Sequence, residues 1–300
     1  MGGARIILGS RGSDLALAQA RLVEEALRKA WPELEIALEI IRTSGDESAK
    51  AAAVLDRKAG RKGMFTREIE RELLSGRIDV AVHSAKDLPS ERVEELEIRA
   101  TLTRANAEDV LITKNGQRLT SLPGGAIIGT GSIRRQRQLA WKRPDLQIAD
   151  LRGNVPTRLR KLRENEDWSG IILARAGLAR LGLTIDGEIL SQEDFVPAGG
   201  QGVIALQTRR ADGAVKRLLD PIDHRATHLC LRVEREFLRL LGGDCNFPVG
   251  VQAQLEEDKL RIRAQVFAEG ESAPRIGAVI GSADAPENVA ARLMEELYGG

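Results

Sequence analysis

The sequence predicts an α/β protein that ends in a small α+β region. Short β-branched runs alternate with amphipathic helical segments through most of the chain, a pattern typical of α/β folds. From Pro221 onward the order changes to a long helix, two strands around a charged turn, a further strand and a closing helix, which is typical of an α+β domain. A length of 300 residues is too great for one ordinary core and indicates two or three domains.

Each predicted element rests on hydrophobic periodicity bounded by caps, Gly or Pro. Strands are predicted at 5–8, 36–41, 78–82, 97–102, 109–113, 126–128, 147–151, 170–173, 203–207, 249–255, 260–267 and 275–280. Helices are predicted at 14–30, 66–75, 226–241 and 286–297, and also after the turns at Ser132, Asn154 and Ala174, with Asn154 as the N-cap of its helix. In the first helix, we expect Leu15, Ala18, Leu22 and Ala26 to form the apolar face.

Composition narrows the class of function. The net charge of +1 arises from 45 basic and 44 acidic residues, so no global field attracts nucleic acid or a membrane surface. Aromatic residues make up 3%, too few for the stacking platforms of single-strand binders. The chain has no apolar run of membrane-spanning length and no signal-peptide core, so we expect a cytoplasmic protein.

The stretch from 76 to 89 changes abruptly from apolar to charged. A β-branched strand is followed at once by His83, Ser84, Lys86 and Asp87, and Pro89 ends regular structure. Ligands of open α/β sheets bind beyond the carboxyl ends of strands, so Asp87 is the candidate catalytic acid. The alternative, that Asp87 only caps a turn or pairs with Lys86, is equally compatible with this stretch alone.

Arginine recurs where strands turn into helices. The loop before the first helix places Arg11 beside Ser13, a natural N-cap. Three later turns carry arginine in the same way, and their candidate anion-binding residues are Ser132, Arg134, Arg135, Arg152, Arg158 and Arg180. Because the guanidinium group binds carboxylates and phosphates with two parallel hydrogen bonds, one shared polyanion site is predicted.

Two further segments have open interpretations. The basic, Gly-rich loop with Lys58, Lys62 and Phe65 has the composition of a mobile lid, but a plain solvated loop fits it equally well. Cys230 lies in a helical apolar stripe and is predicted to pack in a core, whereas Cys245 follows the helix in a loop and is a candidate attachment point or nucleophile. His224 and His228 lack the further ligands of a metal motif, so no metal site is predicted.

Taken together, these motifs resemble the porphobilinogen deaminase family over nearly the full length of the chain. The matching segments, in order, are GSRGSDLALAQA, GRKGMF, VHSAKDLP, GTGSIRRQRQL, LRGNVPTRL, LARAGLARLGL, GQGVIALQ and GGDCNFPVG. The resemblance implies two α/β domains like those of periplasmic binding proteins, around a cleft, and a third α+β domain. The implied boundaries are 1–102 with 203–220, then 103–202, then 221–300.

The resemblance also implies an activity. Family members condense four porphobilinogen molecules head to tail, with release of ammonia, onto a dipyrromethane primer, giving hydroxymethylbilane for haem biosynthesis. Here Cys245 would hold the primer as a thioether and Asp87 would be the catalytic carboxylate. Carboxylates of cofactor and substrate would be bound by Lys86, Ser132, Arg134 and Arg135, and by Arg11, Ser13, Arg152, Arg158 and Arg180. The segment with Lys58, Lys62 and Phe65 would be the lid.

This chain departs from the family pattern at Asp14 and Asp244, and its C-terminus is short. Asp244 adds negative charge beside Cys245, which would raise the pKa of that thiol and slow primer assembly. Two other classes of protein are weighed against the enzyme. A non-catalytic solute-binding protein needs no loop cysteine and usually carries a signal peptide, and a nucleic-acid binder would have to use the basic segment 132–163. We expect a monomeric enzyme that binds no nucleic acid and no membrane.

Overall fold

The strands of the described residues form three separate β-sheets. The computed structural model describes residues 4–42, 66–91, 93–242 and 248–299. Within these ranges, no helix is long and apolar enough to cross a membrane. The strands are β1 (Arg5–Ser10), β2 (Glu35–Ile40), β3 (Val80–Ser84), β4 (Leu96–Thr101), β5 (Asp109–Thr113), β6 (Ile127–Gly129), β7 (Gln147–Ala149), β8 (Trp168–Ala174), β9 (Glu188–Ile189), β10 (Ile204–Arg209), β11 (Val249–Glu256), β12 (Lys259–Val266) and β13 (Arg275–Ser282).

The helices cover the faces of these sheets. They are α1 (Asp14–Ala30), α2 (Arg67–Leu74), α3 (Ile133–Lys142), α4 (Val155–Glu164), α5 (Arg175–Arg180), α6 (Gly213–Leu219), α7 (Arg225–Leu240) and α8 (Pro286–Tyr298). Short 3₁₀ turns lie at Ala85–Asp87, Leu119–Ser121 and Asp220–Ile222. The predicted bounds of α1 and β5 are confirmed, and the other predicted elements differ from the observed ones by a few residues at their ends.

The first two sheets share one design. The first has the strand order β2-β1-β3-β10-β4, and the second has the order β7-β6-β8-β5-β9. In each, four strands run in one direction and the fourth strand in the order is antiparallel to its two neighbours: β10 runs against β3 and β4, and β5 runs against β8 and β9. The parallel strands therefore deliver their carboxyl ends, with the loops that follow, to one edge of each sheet.

The third sheet is a meander in the order β11-β12-β13, with both pairs antiparallel. Helices α7 and α8 cover one face and bury Val233, Phe237, Val289 and Leu293 against it. Cys230 belongs to the same core, as predicted, and burial raises the pKa of its thiol to about 12. The predicted fold class, two α/β units and a small α+β unit, is thus confirmed.

The predicted apolar face of α1 is wrong. The helix buries Gln19, Ala20, Val23 and Leu27, while Leu22 is 39% exposed. The two sets of positions have the same helical spacing and differ by about one residue in rotation. Gln19 breaks the apolar pattern of the true face, but its side-chain amide is satisfied there because Nε2 donates to Ser84 Oγ at 2.8 Å.

A buried ion pair joins the third unit, which consists of α7, α8 and the third sheet, to the two segments that connect the first and second sheets. Glu234 of α7 is fully buried, and its Oε1 lies 2.5 Å from Arg104 Nη1. The backbone N–H groups of Gly200 and Ala253 each donate to this carboxylate at 2.7 Å. Because removing any partner would leave a buried charge uncompensated, this contact restrains the junction of all three units.

Candidate active site

The carboxyl end of β3 forms one wall of the candidate site. Its last residue, Ser84, leads into the 3₁₀ turn that carries Lys86 and Asp87. Asp87 lines a small pocket, whose walls also include Arg11, Ser13, Leu15, Ala16, Gln19, Thr66, Val82, His83 and Ser84. The structure therefore brings the predicted acid together with two of the predicted anion-binding residues, Arg11 and Ser13.

Ser13 is confirmed as the N-cap of α1. Its Oγ accepts from the backbone N–H of Ala16 at 3.3 Å, which leaves the hydroxyl hydrogen available for an anion. Ser132 occupies the N-cap position of α3, but its side chain makes no capping hydrogen bond there. Asn154 caps α4 as predicted, accepting from Thr157 N at 2.9 Å.

Arg134 and Arg135 form the opposite wall together with an acid that sequence reasoning missed. Both are buried in the first turn of α3, where each meets the carboxylate of Asp109, the first residue of β5. Arg134 Nη2 lies 2.9 Å from Asp109 Oδ2, and Arg135 Nη2 donates to Oδ1 at 2.7 Å. Gln201 Nε2 also donates to Oδ1, at 2.8 Å.

The neighbouring arginines keep the carboxyl group of Asp109 ionised. Burial alone would raise the pKa of Asp109, but Arg134 and Arg135 outweigh it and hold that pKa below its ordinary value. Within the described chain, the buried Nε atoms of both arginines have no hydrogen-bond partner. Two buried guanidinium groups with unused donors fit a group that carries carboxylates.

The remaining predicted arginines lie around the same edge of the second sheet. Arg152 is mostly exposed, and its Nε donates to Asp150 Oδ2 at 2.7 Å. Arg158 Nε donates to the backbone oxygen of Gly153 at 2.7 Å. Arg180 Nη2 donates to Gly202 O at 2.7 Å, and burial lowers its pKa to about 10.

Lys86 connects the two walls. Burial lowers the pKa of Lys86 to about 8, and among its charged neighbours Asp87 raises this pKa while Arg135 and Arg158 lower it. Lys86 belongs to the first α/β unit, whereas Arg135 and Arg158 belong to the second. Lys86 therefore lies close to charged side chains of the second unit.

His83 is a second residue whose place the sequence did not reveal. It is 5% exposed, and its Nε2 lies 3.0 Å from Gln207 Oε1, while Gln207 Nε2 donates to Glu70 Oε1 at 2.9 Å. Since an amide oxygen only accepts, Nε2 carries the ring hydrogen. Burial lowers the pKa of His83 to about 4, so the ring is neutral at pH 7. The sequence signal for this location is that His83 directly precedes Ser84, at the end of a buried strand.

Several predicted residues lie outside this geometry. Cys245, Asp244 and the lid residues Lys58, Lys62 and Phe65 lie outside the described residues. Among the residues described, no cluster of three or more His, Cys, Asp or Glu is arranged to hold a metal ion. His224 and His228 have structural partners instead: His224 Nδ1 lies 2.8 Å from Thr227 Oγ1, and His228 Nδ1 lies 3.0 Å from Asp223 Oδ2.

A carboxylate and arginines at the strand ends of two α/β units are the groups that an enzyme acting on a polycarboxylate requires. Two family models match this chain: "Porphobilinogen deaminase, dipyromethane cofactor binding domain" over residues 6–217, and "Porphobilinogen deaminase, C-terminal domain" over residues 228–299. The chain belongs to the porphobilinogen deaminase family.

Relatives cover nearly all of the chain. The porphobilinogen deaminase of Roseiflexus sp. (strain RS-1) is 45% identical over 298 residues, which are 97% of this chain and 95% of the relative. That of Syntrophomonas wolfei is 47% identical over 260 residues, 86% of this chain and 84% of the relative. Among solved structures, the methionine-binding protein MetQ has a TM-score of 0.45 and 14% identity, and the alignment covers 84% of this chain and 99% of MetQ.

Family membership confirms three predictions made from the sequence motifs. The chain is a transferase of tetrapyrrole biosynthesis, it polymerises porphobilinogen, and its cofactor is dipyrromethane. The unpartnered donors of Arg134 and Arg135 are compatible with this cofactor, because each of its two pyrroles carries carboxylate side chains.

Replacing Asp109 with Asn tests the buried cluster. We expect Asp109→Asn to lower the free energy of unfolding by about 3 to 5 kcal/mol, because two buried guanidinium groups lose their compensating charge. Asp150→Asn removes the exposed partner of Arg152 and should cost less than about 1 kcal/mol. Urea denaturation of both variants measures the difference, and equal losses would contradict the role given to Asp109.

The pKa of Lys86 predicts a pH dependence. As pH rises through about 8, Lys86 loses its proton and with it the attraction for carboxylates. The rate at which cofactor-free chain gains the primer from added porphobilinogen should therefore fall several-fold between about pH 7 and 9.5, relative to the rate of Lys86→Arg. Lys86→Arg stays charged over that range, so it lacks this fall. Loading profiles of the two proteins that have the same slope would exclude Lys86 as the titrating group.

Proposed function

We propose that this chain assembles hydroxymethylbilane from four porphobilinogen molecules, with Asp87 as the catalytic carboxylate and Cys245 as the attachment point of the primer. The observation that carries the assignment of Asp87 is its position beyond β3, in a pocket lined by Arg11 and Ser13 and next to Lys86. Support for Cys245 comes from its motif and from the core position of Cys230, the other cysteine of the chain.

In each addition, the C–N bond to the substrate's amine breaks and ammonia leaves. A C–C bond forms between the substrate's methylene carbon and the free α-carbon of the terminal pyrrole, and that carbon then loses its proton. The cofactor would supply the first such α-carbon. After four additions, water would break the C–C bond between that carbon and the first added methylene, giving the methylene its hydroxyl group and returning a proton to the α-carbon. The Asp87 carboxylate is placed to stabilise the cationic substrate pyrrole and to move protons as ammonia leaves.

The cationic side chains bind and orient the carboxylates. Arg134, Arg135, Ser132 and Lys86 hold those of the cofactor, while Arg11, Ser13, Arg152, Arg158 and Arg180 hold those of the substrate and the growing chain. These residues come from the strand ends of both sheets, which supports one extended polycarboxylate site. The resemblance to the family also assigns the lid segment to Lys58, Lys62 and Phe65, which lie outside the described residues.

The same reasoning extends to location and partners. A cytoplasmic monomer that binds neither nucleic acid nor membrane agrees with the net charge of +1. Segment 132–163 offers nucleic acid fewer accessible positive charges than its composition suggests, because Arg134 and Arg135 are buried against Asp109. A steep salt dependence of DNA binding would support the nucleic-acid alternative.

Replacing Asp87 separates turnover from primer attachment. We expect Asp87→Ala and Asp87→Asn each to lower the turnover rate by about 10²- to 10⁴-fold, because both remove the carboxylate that moves protons. The folded variants should still carry the primer, as seen in their intact mass. Asp87→Asn keeps the size of the side chain, and a rate near wild type in that variant would refute the catalytic role.

Cys245→Ser tests the attachment point. Wild-type protein analysed under denaturing conditions should have the mass of the chain plus two linked pyrrole units, located by peptide mapping on the Cys245 peptide. Cys245→Ser should have the mass of the bare chain, because a hydroxyl cannot form the thioether. Cys230→Ala is the matched control and should keep the added mass, since Cys230 is buried in a core. Added mass on Cys245→Ser would contradict the assignment.

A further inference from the structure

A chain of buried amides connects Arg134 to the sheet of the third unit. Arg134 Nη1 donates to Gln138 Oε1 at 2.8 Å, and Gln138 Nε2 donates to Gln265 Oε1, in β12, at 2.6 Å. Gln265 Nε2 then donates to the backbone oxygen of Asp194 at 3.2 Å. Both glutamines have 0% exposure, and Arg134 is 4% exposed. The chain thus spans the boundary between the second and third units without solvent contact.

The direction of this chain is fixed by chemistry. A guanidinium group only donates, so Gln138 must present its oxygen to Arg134 and its amide NH₂ to Gln265. Gln265 must in turn present its oxygen to Gln138 and its NH₂ to the carbonyl of Asp194. Turning either amide around would place two donors or two acceptors face to face in a buried site. The orientation of Arg134 is therefore coupled to β12.

Arg134 and the third unit also meet at the backbone carbonyl oxygen of Val196. Arg134 Nη1 and Gln138 Nε2 both donate to this oxygen at 2.9 Å. Gly250 of β11 lies against the same atom: a Cβ at Gly250 would lie within 2.3 Å of Val196 O. Val251 N also donates to Pro197 O at 2.8 Å. The start of β11, closely preceded in the sequence by Cys245, is thereby docked on the carbonyl that orients Arg134.

We propose that Gln138 and Gln265 are positioning residues that fix the guanidinium of Arg134 relative to the third unit. This inference rests on the proposed assignment of Cys245 and Arg134 to the cofactor. Under that assignment, the cofactor is a short group held by two units. A thioether would attach it to the third unit, and Arg134 would bind one of its carboxylates on the second unit. Both contacts form together only if the separation of the units is held constant, and the buried amides supply that constraint.

The test is the assembly of the primer on full-length chain made without cofactor, in cells that do not produce porphobilinogen. Loading by added porphobilinogen is followed by intact mass. We expect Gln265→Met, which keeps volume and removes the amide, to load about tenfold more slowly than wild type. Gln138→Met breaks the chain on a different element and should have a similar effect. The double variant should be no slower than the slower single variant, because the two residues act through one chain.

Two controls separate positioning from stability. Gln254→Met makes the same change at an exposed position of β11 and should load like wild type. Val266→Ala removes buried volume from the third unit next to Gln265, so its melting temperature should fall while its loading rate is retained. Unchanged loading in both glutamine variants, or slowing in Val266→Ala equal to theirs, would overturn the proposal. A wild-type chain that never gains mass would refute the proposed function, and this inference with it.

Discussion

The buried carboxylate of Asp109 is the contact on which the cleft depends. Two guanidinium groups in the first turn of a helix oppose its dipole and lose hydration on burial, so the helix start is unfavourable without a compensating anion. Asp109 supplies that anion from the first residue of β5, and Gln201 adds a hydrogen bond from the segment that leads back to the first sheet. Helix α3, strand β5 and this segment must therefore keep one arrangement, in which the Nε atoms of both arginines have no hydrogen-bond partner among the described residues.

The segment around Gln201 also reaches the opposite wall. Gly200 has a φ of +73°, and a Cβ there would lie 3.0 Å from Lys86 N, so glycine at this position lets the backbone pack closely against the 3₁₀ turn that carries Asp87. Its N–H donates to Glu234 of the third unit, and the neighbouring Gly202 O accepts from Arg180. A few residues of irregular backbone thus contact the first, second and third units, which explains why a Gly-rich sequence precedes β10.

Much of the fold was predictable, because strand and helix periods are local properties of the sequence. The bounds of α1 and β5, the caps at Ser13 and Asn154, and the grouping of arginines at strand ends all depend on neighbouring residues. Asp109 was missed because its partners are remote in sequence, and an acid at the start of an apolar strand resembles an ordinary surface position. Gln19 misled the assignment of the α1 face for a related reason: its amide is satisfied by a residue of another strand.

The arginines of the proposed site differ in how firmly they are held. Arg134 and Arg135 are buried and fixed by Asp109, so they lose little conformational entropy when a carboxylate binds. The side chain of Arg152 is 60% exposed and pairs with an equally open Asp150, an interaction that is weak and easily exchanged. A permanently bound cofactor requires the first kind of receptor, whereas a product that lengthens by one pyrrole at a time must release and regain its contacts at every step. Under the proposed assignment, the burial of Arg134 and Arg135 and the exposure of Arg152 match the lifetimes of the carboxylates that they bind.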